Sequence, residues 1–197
     1  DNFTPDVEVL GANGSAKLLE RYVSLIKISD EAFAQLVEYF SMVDEPTVIL
    51  MFGDHQPADW VVAPIYSMNG ITDQNSWSES AERYQVPFVL WANYDIDEEA
   101  IEQEISYDFS KYGTLSVNYL STILFEAAGL PMSPFQLYMK DIMKDFPIMT
   151  ANMFLDDQGT YFGVNMIQSL PEEIKDYAIL NYNLLFDAKH RNNAYYE

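Results

Sequence analysis

The sequence predicts an α/β fold, in which a sheet is flanked by helices and a small lobe follows at the C-terminal end. Three observations lead to this prediction. Apolar residues recur at helical spacing over residues 15–40. Two apolar and β-branched runs, residues 47–52 and 86–92, have the composition of strands buried on both faces. Helical segments follow the second run, and a hairpin pattern precedes a final helix.

The elements of the first half are bounded by turn residues. The pattern over residues 15–40 indicates one long helix, or two helices joined near Ser29, and Asp44-Glu45-Pro46 ends it. Residues 53–83 show little periodicity and carry Gly, Pro, Asn and Ser, which favours a long functional loop, with or without a short helix. Pro87 favours a strand start or an edge position for the second run. The acidic stretch 95–104 is ambiguous.

Capping signals mark the helices of the second half. Residues 118–128 are predicted to be helical, with Ser116 as the N-cap and Gly129 at the C′ position. Ser133 and Pro134 have the order of an N-cap and a first helical residue, and this helix ends before Pro147.

The last fifty residues have a different pattern. Residues 154–162, F-L-D-D-Q-G-T-Y-F, are typical of a hairpin that forms a separate small sheet, and a helix is predicted over residues 171–186. We therefore expect a catalytic α/β portion at 1–147 and a small subdomain at 148–197.

Composition excludes several classes of function. Ten basic and 31 acidic residues give a net charge of −21, which repels nucleic acid. The absence of cysteine excludes disulfides, thiolate metal sites and cysteine nucleophiles. No apolar run approaches the roughly 20 residues of a membrane helix. Because the chain starts at Asp1 and has no signal peptide, we expect it to be part of a longer protein.

The stretch T-V-I-L-M-F-G-D-H-Q-P, residues 47–57, carries the strongest candidate site. Asp54 and His55 follow the first predicted strand, and ligands of α/β sheets bind at the carboxyl ends of strands. A carboxylate and an imidazole suit Zn²⁺ or Mn²⁺, whereas Ca²⁺ prefers oxygen alone. Gly53 is expected to allow a tight turn. On residue types alone a second interpretation stays open, in which Asp54 caps a turn and His55 is an ordinary loop histidine.

Several stretches, in order along the chain, resemble one family. They are residues 22–40, in which Asp30 lies mid-helix, 47–57, 86–95 (V-P-F-V-L-W-A-N-Y-D), 115–121 (L-S-V-N-Y-L-S), 128–131 (A-G-L-P) and 182–187 (Y-N-L-L-F-D). The series resembles the sulfatase-like members of the alkaline phosphatase superfamily. Among these it is most similar to the lipoteichoic acid synthases and related phosphoglycerol transferases.

The resemblance implies an alkaline-phosphatase-like fold and a divalent metal, Mn²⁺ or Zn²⁺, with Mg²⁺ possible. Asp54 and His55 match the paired metal ligands of the family. The other ligands, the threonine or serine nucleophile and a substrate-binding histidine are expected upstream of Asp1. The resemblance further implies a membrane-anchored protein on the extracellular face of a bacterial membrane, where it contributes to lipoteichoic acid synthesis at the cell wall. Its substrate would be an anionic lipid-linked compound or a phosphate or sulfate ester.

Other residues are weaker candidates. Gln56 and Asn93 are candidates for substrate binding, although a polar loop and a turn with an Asn–backbone bond explain them at least as well. The same applies to Asp59, Trp60 and Tyr94, whereas His190, beyond the last helix, is expected to be solvated rather than a metal ligand.

Three functions remain open. The first is a phosphoglycerol transferase of the lipoteichoic acid synthase type, of which this chain supplies two metal ligands but not the nucleophile, so that the chain alone is inactive. The second is a sulfatase or phosphoesterase of the same superfamily. The third is a non-catalytic binding domain that keeps the fold.

Overall fold

The computed structural model describes residues 3–12, 15–71, 83–105, 113–150, 153–163 and 170–197. It is a mixed α/β structure, as predicted. The chain separates into two compact units, Asp1–Tyr94 and Asp95–Glu197. The boundary predicted at residues 147 and 148 falls inside the second unit, and that functional division stays a prediction.

In the part of the first unit that the structure describes in full, two helices combine with a pair of strands. Helix α1, Lys17–Ser41, is continuous, so the single-helix alternative holds. Ser29 lies inside it and its hydroxyl donates to the Leu25 carbonyl at 3.1 Å, which satisfies the side chain without breaking the helix. Strand β1 is Val48–Phe52 and strand β2 is Phe88–Ala92. Between them, helix α2, Asp59–Met68, occupies part of the predicted loop.

Strands β1 and β2 are neighbours in one sheet, and they do not have the parallel arrangement that a crossover connection would give. Val48 lies opposite Ala92 and Phe52 opposite Phe88, so the pair is antiparallel. The Gly53 N–H donates to the Pro87 carbonyl at 3.1 Å, so β2 begins where β1 ends. A parallel pair would require the chain to return to the other end of β1 before pairing.

Strand β1 is also less buried than its apolar sequence predicts. Phe52 is 47% exposed, and no residue of β1 is fully buried. Among the described residues β1 pairs only with β2. An apolar run shows that a strand suits burial, but the surfaces that cover it depend on other segments.

The second unit is mainly helical. It contains α3 (Glu98–Ile105), a 3-10 turn (Val117–Tyr119), α4 (Leu120–Ala127), α5 (Pro134–Asp145), β3 (Ile148–Met149), β4 (Met153–Leu155), β5 (Tyr161–Gly163), α6 (Glu172–Phe186) and a second 3-10 turn (Asn193–Tyr195). Helix α3 lies in the acidic stretch that the sequence left ambiguous. None of the helices that the structure describes is long and apolar enough to cross a membrane.

Two local signals of the second unit act as predicted. The Ser133 hydroxyl accepts the Gln136 N–H, and the Gln136 side chain accepts the Ser133 N–H, which together form a capping box at the start of α5. Gly129 has a φ of 62° after α4, and the Leu130 N–H bonds back to the Phe125 carbonyl at 2.9 Å. This closes α4 with a Schellman motif.

Ser116 is the N-cap residue of the 3-10 turn that leads into α4, which is its predicted position, but its side chain has a different role. Its hydroxyl makes no cap bond. It instead donates to the Met149 carbonyl at 2.8 Å and accepts the Met149 N–H at 2.5 Å. Ser116 therefore ties the segment before α4 to β3, a partner 33 residues away that sequence spacing does not reveal.

The predicted hairpin is confirmed as strands β4 and β5, and it belongs to a sheet separate from β1 and β2. Strand β3 pairs antiparallel with β4 as a third strand, which the sequence analysis missed because two residues carry no periodic signal. Next to this sheet lies the core of the second unit, formed by Ile105, Tyr119, Ile123, Met143 and Ile174, each essentially inaccessible to solvent.

Candidate functional site

Asp54 and His55 lie directly after β1, where the sequence analysis placed them. Both side chains are open to solvent, with 85% of Asp54 and 77% of His55 exposed. Neither packs into the core. They are therefore accessible to an ion or a substrate, although exposure alone does not distinguish a ligand from a loop residue.

Gly53 has a different role from the one predicted. Its φ is not positive, so glycine is not required there for a left-handed turn. A Cβ at this position would lie 2.9 Å from the Cβ of Val86, closer than real Cβ contacts. The glycine is required because the chain approaches the segment before β2 closely, and this approach sets where Asp54 and His55 emerge.

The side chains of Asp54 and His55 converge. The His55 backbone N–H donates to Asp54 Oδ1 at 2.9 Å, which brings the carboxylate back over the next residue. The other oxygen, Asp54 Oδ2, lies 3.5 Å from His55 Nε2. The opposite ring nitrogen, Nδ1, lies 2.8 Å from the Gln56 carbonyl oxygen. Because a carbonyl can only accept, a hydrogen bond at this contact requires the proton on Nδ1, which in a neutral ring would leave the lone pair on Nε2 beside Asp54.

This geometry fits a shared divalent ion. Two ligands of one tetrahedral Zn²⁺, each about 2.0–2.2 Å from the ion, lie roughly 3.4 Å apart. The separation of Nε2 and Oδ2 is 3.5 Å, which matches this spacing. Within the described ranges no group of three or more potential ligands occurs, so this pair supplies two. Metal binding by Asp54 and His55 stays a prediction, since the bond from the His55 N–H also suits a turn-capping Asp54.

The residues after His55 make structural contacts. The Gln56 side-chain amide donates to the Gln85 carbonyl, across the loop. Asp59, at the start of α2, forms an ion pair with Arg83. Trp60 is largely exposed and borders a cleft of about 160 Å³ between the first turns of α1 and α2. The contacts of Gln56 and Asp59 are thus those expected of polar residues in a loop.

Asn93, a candidate for substrate binding, lies at the end of the sheet opposite Asp54. Because β1 and β2 are antiparallel, the residue after β2 lies beside the start of β1. At about 3.4 Å per residue, the five residues of β1 separate the two positions by roughly 17 Å. The Asn93 side chain accepts the Thr47 N–H at 2.8 Å, which is the structural role considered for it.

The remaining candidates lie outside the Asp54–His55 pair. Tyr94 follows Asn93 and shares its position at the far end of the sheet. Asp30 is exposed on α1. His190, in the second unit, is held after α6 by Asp187, whose Oδ1 lies 2.8 Å from Nδ1 of its ring. This contact joins two residues of the segment that directly follows α6.

The segment before β2 is the part of the site that sequence reasoning missed. Gln85 contributes its carbonyl, Val86 its side chain against Gly53, and Pro87 its carbonyl to the Gly53 N–H. Two of these contacts use only backbone atoms of the segment, so residue types do not reveal them. The signal that was available is Gly53, since a glycine at the end of a strand can indicate a close approach of two segments as well as a left-handed turn.

Comparisons with known proteins agree with the resemblance at the level of family. The sulfatase family model matches residues 2–129, well over half of the chain and including Asp54 and His55. A protein of Rhizobium meliloti (strain 1021), described as a putative cyclic beta-1,2-glucan modification protein, is 20% identical over 185 residues. The alignment covers 92% of this chain and 27% of that protein. No solved structure matches significantly.

The chain thus spans about a quarter of the length of this curated relative. Enzymes of the sulfatase superfamily use divalent metals, which agrees with the ligand types at the end of β1. The family model covers the whole first unit and extends into the second as far as Gly129. On this match, the chain belongs to the sulfatase family.

Proposed function

We propose that this chain is part of an extracellular, metal-dependent phosphoglycerol transferase of the lipoteichoic acid synthase type. The observation that carries the proposal is the 3.5 Å approach of His55 Nε2 to Asp54 Oδ2 at the end of β1, in a chain of the sulfatase family. The ordered motifs that surround the pair support the finer assignment within the family.

Asp54 would bind the ion as a carboxylate and His55 through the lone pair on Nε2. We propose Mn²⁺ or Zn²⁺, with Mg²⁺ as a third option, because an imidazole and a carboxylate suit the first two best. A bound divalent ion would supply stabilisation of negative charge on the transferring group. The nucleophile and further ligands would come from another part of the whole protein. The full protein would be anchored in a bacterial membrane, with this domain outside the cell.

The substrate would be an anionic lipid-linked compound or a phosphate or sulfate ester. The net charge of −21 disfavours direct binding of such anions, so an ion held by Asp54 and His55 would be needed to attract them. The relative described as modifying a cyclic glucan supports a carbohydrate hydroxyl as one acceptor. A hydrolase of sulfate or phosphate esters is the second candidate, and the match to the sulfatase family model favours it equally.

Paramagnetic NMR tests the metal site directly. The chain has two histidines, so their ring signals are readily assigned with His55→Ala and His190→Ala. We expect substoichiometric Mn²⁺ to broaden the His55 ring signals far more than those of His190, and Asp54→Asn to remove this difference. His190 is a matched internal control because it also lies beside an aspartate, Asp187. Equal broadening of both rings would show only diffuse attraction by the acidic surface and would contradict the proposal.

The full-length protein tests the reaction. We expect Mn²⁺-dependent turnover of a chromogenic phosphodiester, a loss of at least roughly a hundredfold in His55→Ala, and wild-type rates in His190→Ala. Turnover of an aryl sulfate instead would favour the hydrolase. No turnover of either ester, with Mn²⁺ bound normally, would favour the non-catalytic binding domain.

A further inference from the structure

We propose that Gln56 is a positioning residue that holds the His55 ring with its proton on Nδ1 and its lone pair on Nε2. The use of that lone pair rests on the proposed function, whereas the arrangement itself rests on geometry. Gln56 acts twice, because its main-chain carbonyl contacts the ring and its side chain ties the same residue to the segment before β2.

An exposed histidine needs such a contact to keep one orientation. His55 is 77% exposed, so packing does not restrict its ring. In water the neutral side chain exchanges between two tautomers, and the form with the proton on Nε2 is favoured without other contacts. The Gln56 carbonyl, 2.8 Å from Nδ1, stabilises the opposite form.

The Gln56 main-chain carbonyl can orient the His55 ring only if the carbonyl is itself held in place. The Gln56 side-chain amide donates to the carbonyl of Gln85, 29 residues further along the chain. The segment that contains Gln85 is fixed against the end of β1 by the Gly53–Pro87 hydrogen bond and by the contact of Gly53 with Val86. The Gln56 side chain therefore holds the loop after β1, which has little packing of its own, against the segment that is fixed to the strand pair.

This arrangement places the lone pair on Nε2 of His55 next to the Asp54 carboxylate. With the proton on Nδ1, Nε2 faces Asp54 Oδ2 at 3.5 Å as an acceptor. Histidines that bind metals commonly donate their second ring N–H to a carbonyl, and this contact orients the ring. Gln56 thus acts through His55, and we assign it no contact with substrate.

The test is the tautomer of His55, read from ¹⁵N shifts and two-bond correlations of the ring at a pH where it is neutral and with no metal added. In the wild type we expect the proton on Nδ1. Gln56→Ala should shift the population towards the form with the proton on Nε2. Gln85→Ala is the matched control, because it changes the same pair of segments but keeps the backbone carbonyl that accepts the bond, and we expect it to leave the tautomer unchanged.

The affinity for Mn²⁺, measured from the broadening of the His55 ring, is the second readout. We expect Gln56→Ala to weaken it by roughly tenfold, the lower end of the range for residues that orient metal ligands. A wild-type His55 with its proton on Nε2 would overturn the proposal, and this measurement needs no variant to fold. An unchanged tautomer in a folded Gln56→Ala would overturn it as well. A tautomer that depends on Gln56, in a chain whose His55 does not respond to Mn²⁺, would support the positioning role and contradict the proposed function.

Discussion

The Asn93 side-chain oxygen accepts the backbone N–H of Thr47 at 2.8 Å, and this bond joins the end of β2 to the start of β1. On the other side of the amide, its nitrogen lies within 3.0 Å of the carbonyl oxygens of Phe40, Val43 and Glu45. One side chain thus connects the end of α1, the turn that follows it and both strands of the sheet.

We expect Asn93→Ala to lower the free energy of unfolding by about 1–3 kcal/mol, because it leaves partly buried backbone groups without a partner. Asn93→Asp should be at least as damaging, since a carboxylate keeps the acceptor but faces three carbonyl oxygens. Urea denaturation followed by circular dichroism gives both values, with Asn69→Ala, in the exposed turn after α2, as the control. A stability of Asn93→Asp equal to that of the wild type would contradict the assigned bonds.

Gly53→Ala should lower the free energy of unfolding by about 1–3 kcal/mol, because the added methyl overlaps Val86. The closest atom is the Val86 Cβ itself, at 2.9 Å, so Val86→Ala would not relieve the clash, whereas Val86→Gly would. We therefore expect a favourable coupling energy in a double-mutant cycle of Gly53→Ala with Val86→Gly. Additive effects would show that the two residues do not touch.

Tyr119 should make stability depend on pH in the alkaline range. It is fully buried and its hydroxyl donates to the Phe146 carbonyl at 2.6 Å. Burial, followed by the neighbouring hydroxyls of Tyr177 and Tyr138, raises the pKa of Tyr119 above its ordinary value of 10.0. Below that value the tyrosine is neutral in both states and its contribution is complete. Above it the unfolded form ionises while the folded form keeps its proton, so stability falls as pH rises.

Between pH 10 and 11 we expect the wild type to lose about 1 kcal/mol more than Tyr119→Phe does. At pH 8 the same variant should be less stable than the wild type by about 1–3 kcal/mol, because the Phe146 carbonyl loses its donor. The exposed Tyr84→Phe serves as the control. Parallel pH profiles for the wild type and Tyr119→Phe would contradict the assignment.

The chain by itself should bind metal weakly and catalyse nothing. Asp54 and His55 supply two ligands, whereas catalytic zinc sites usually take three from protein. Calorimetric titration with Mn²⁺ and Zn²⁺, beside assays on phosphodiester and sulfate esters, measures both. A single tight site that His55→Ala abolishes, or turnover above that of the metal alone, would show that the chain holds a complete site.

Local chemistry explains what the sequence analysis predicted correctly. The N-cap Ser133 before Pro134 and the left-handed Gly129 after α4 depend on neighbouring residues, so their order is visible in the sequence. The same holds for the position of Asp54 and His55 directly after an apolar strand, and for the hairpin formed by β4 and β5. The ordered motifs along the chain were sufficient to indicate the sulfatase family, which the family model confirms.

Only the tertiary structure decided how distant segments meet. The antiparallel pairing of β1 with β2 moves Asn93 to the end of the sheet opposite Asp54, and the direction of a strand leaves no mark in its composition. The partner of Ser116 lies 33 residues away and that of Gln56 lies 29 residues away, and each bond uses backbone atoms that every residue has. The sequence by itself therefore determined the elements and the residue types of the candidate site. Folding decided which groups support the loop after β1, because the Gln56 side chain bonds to a backbone carbonyl from a separate part of the chain.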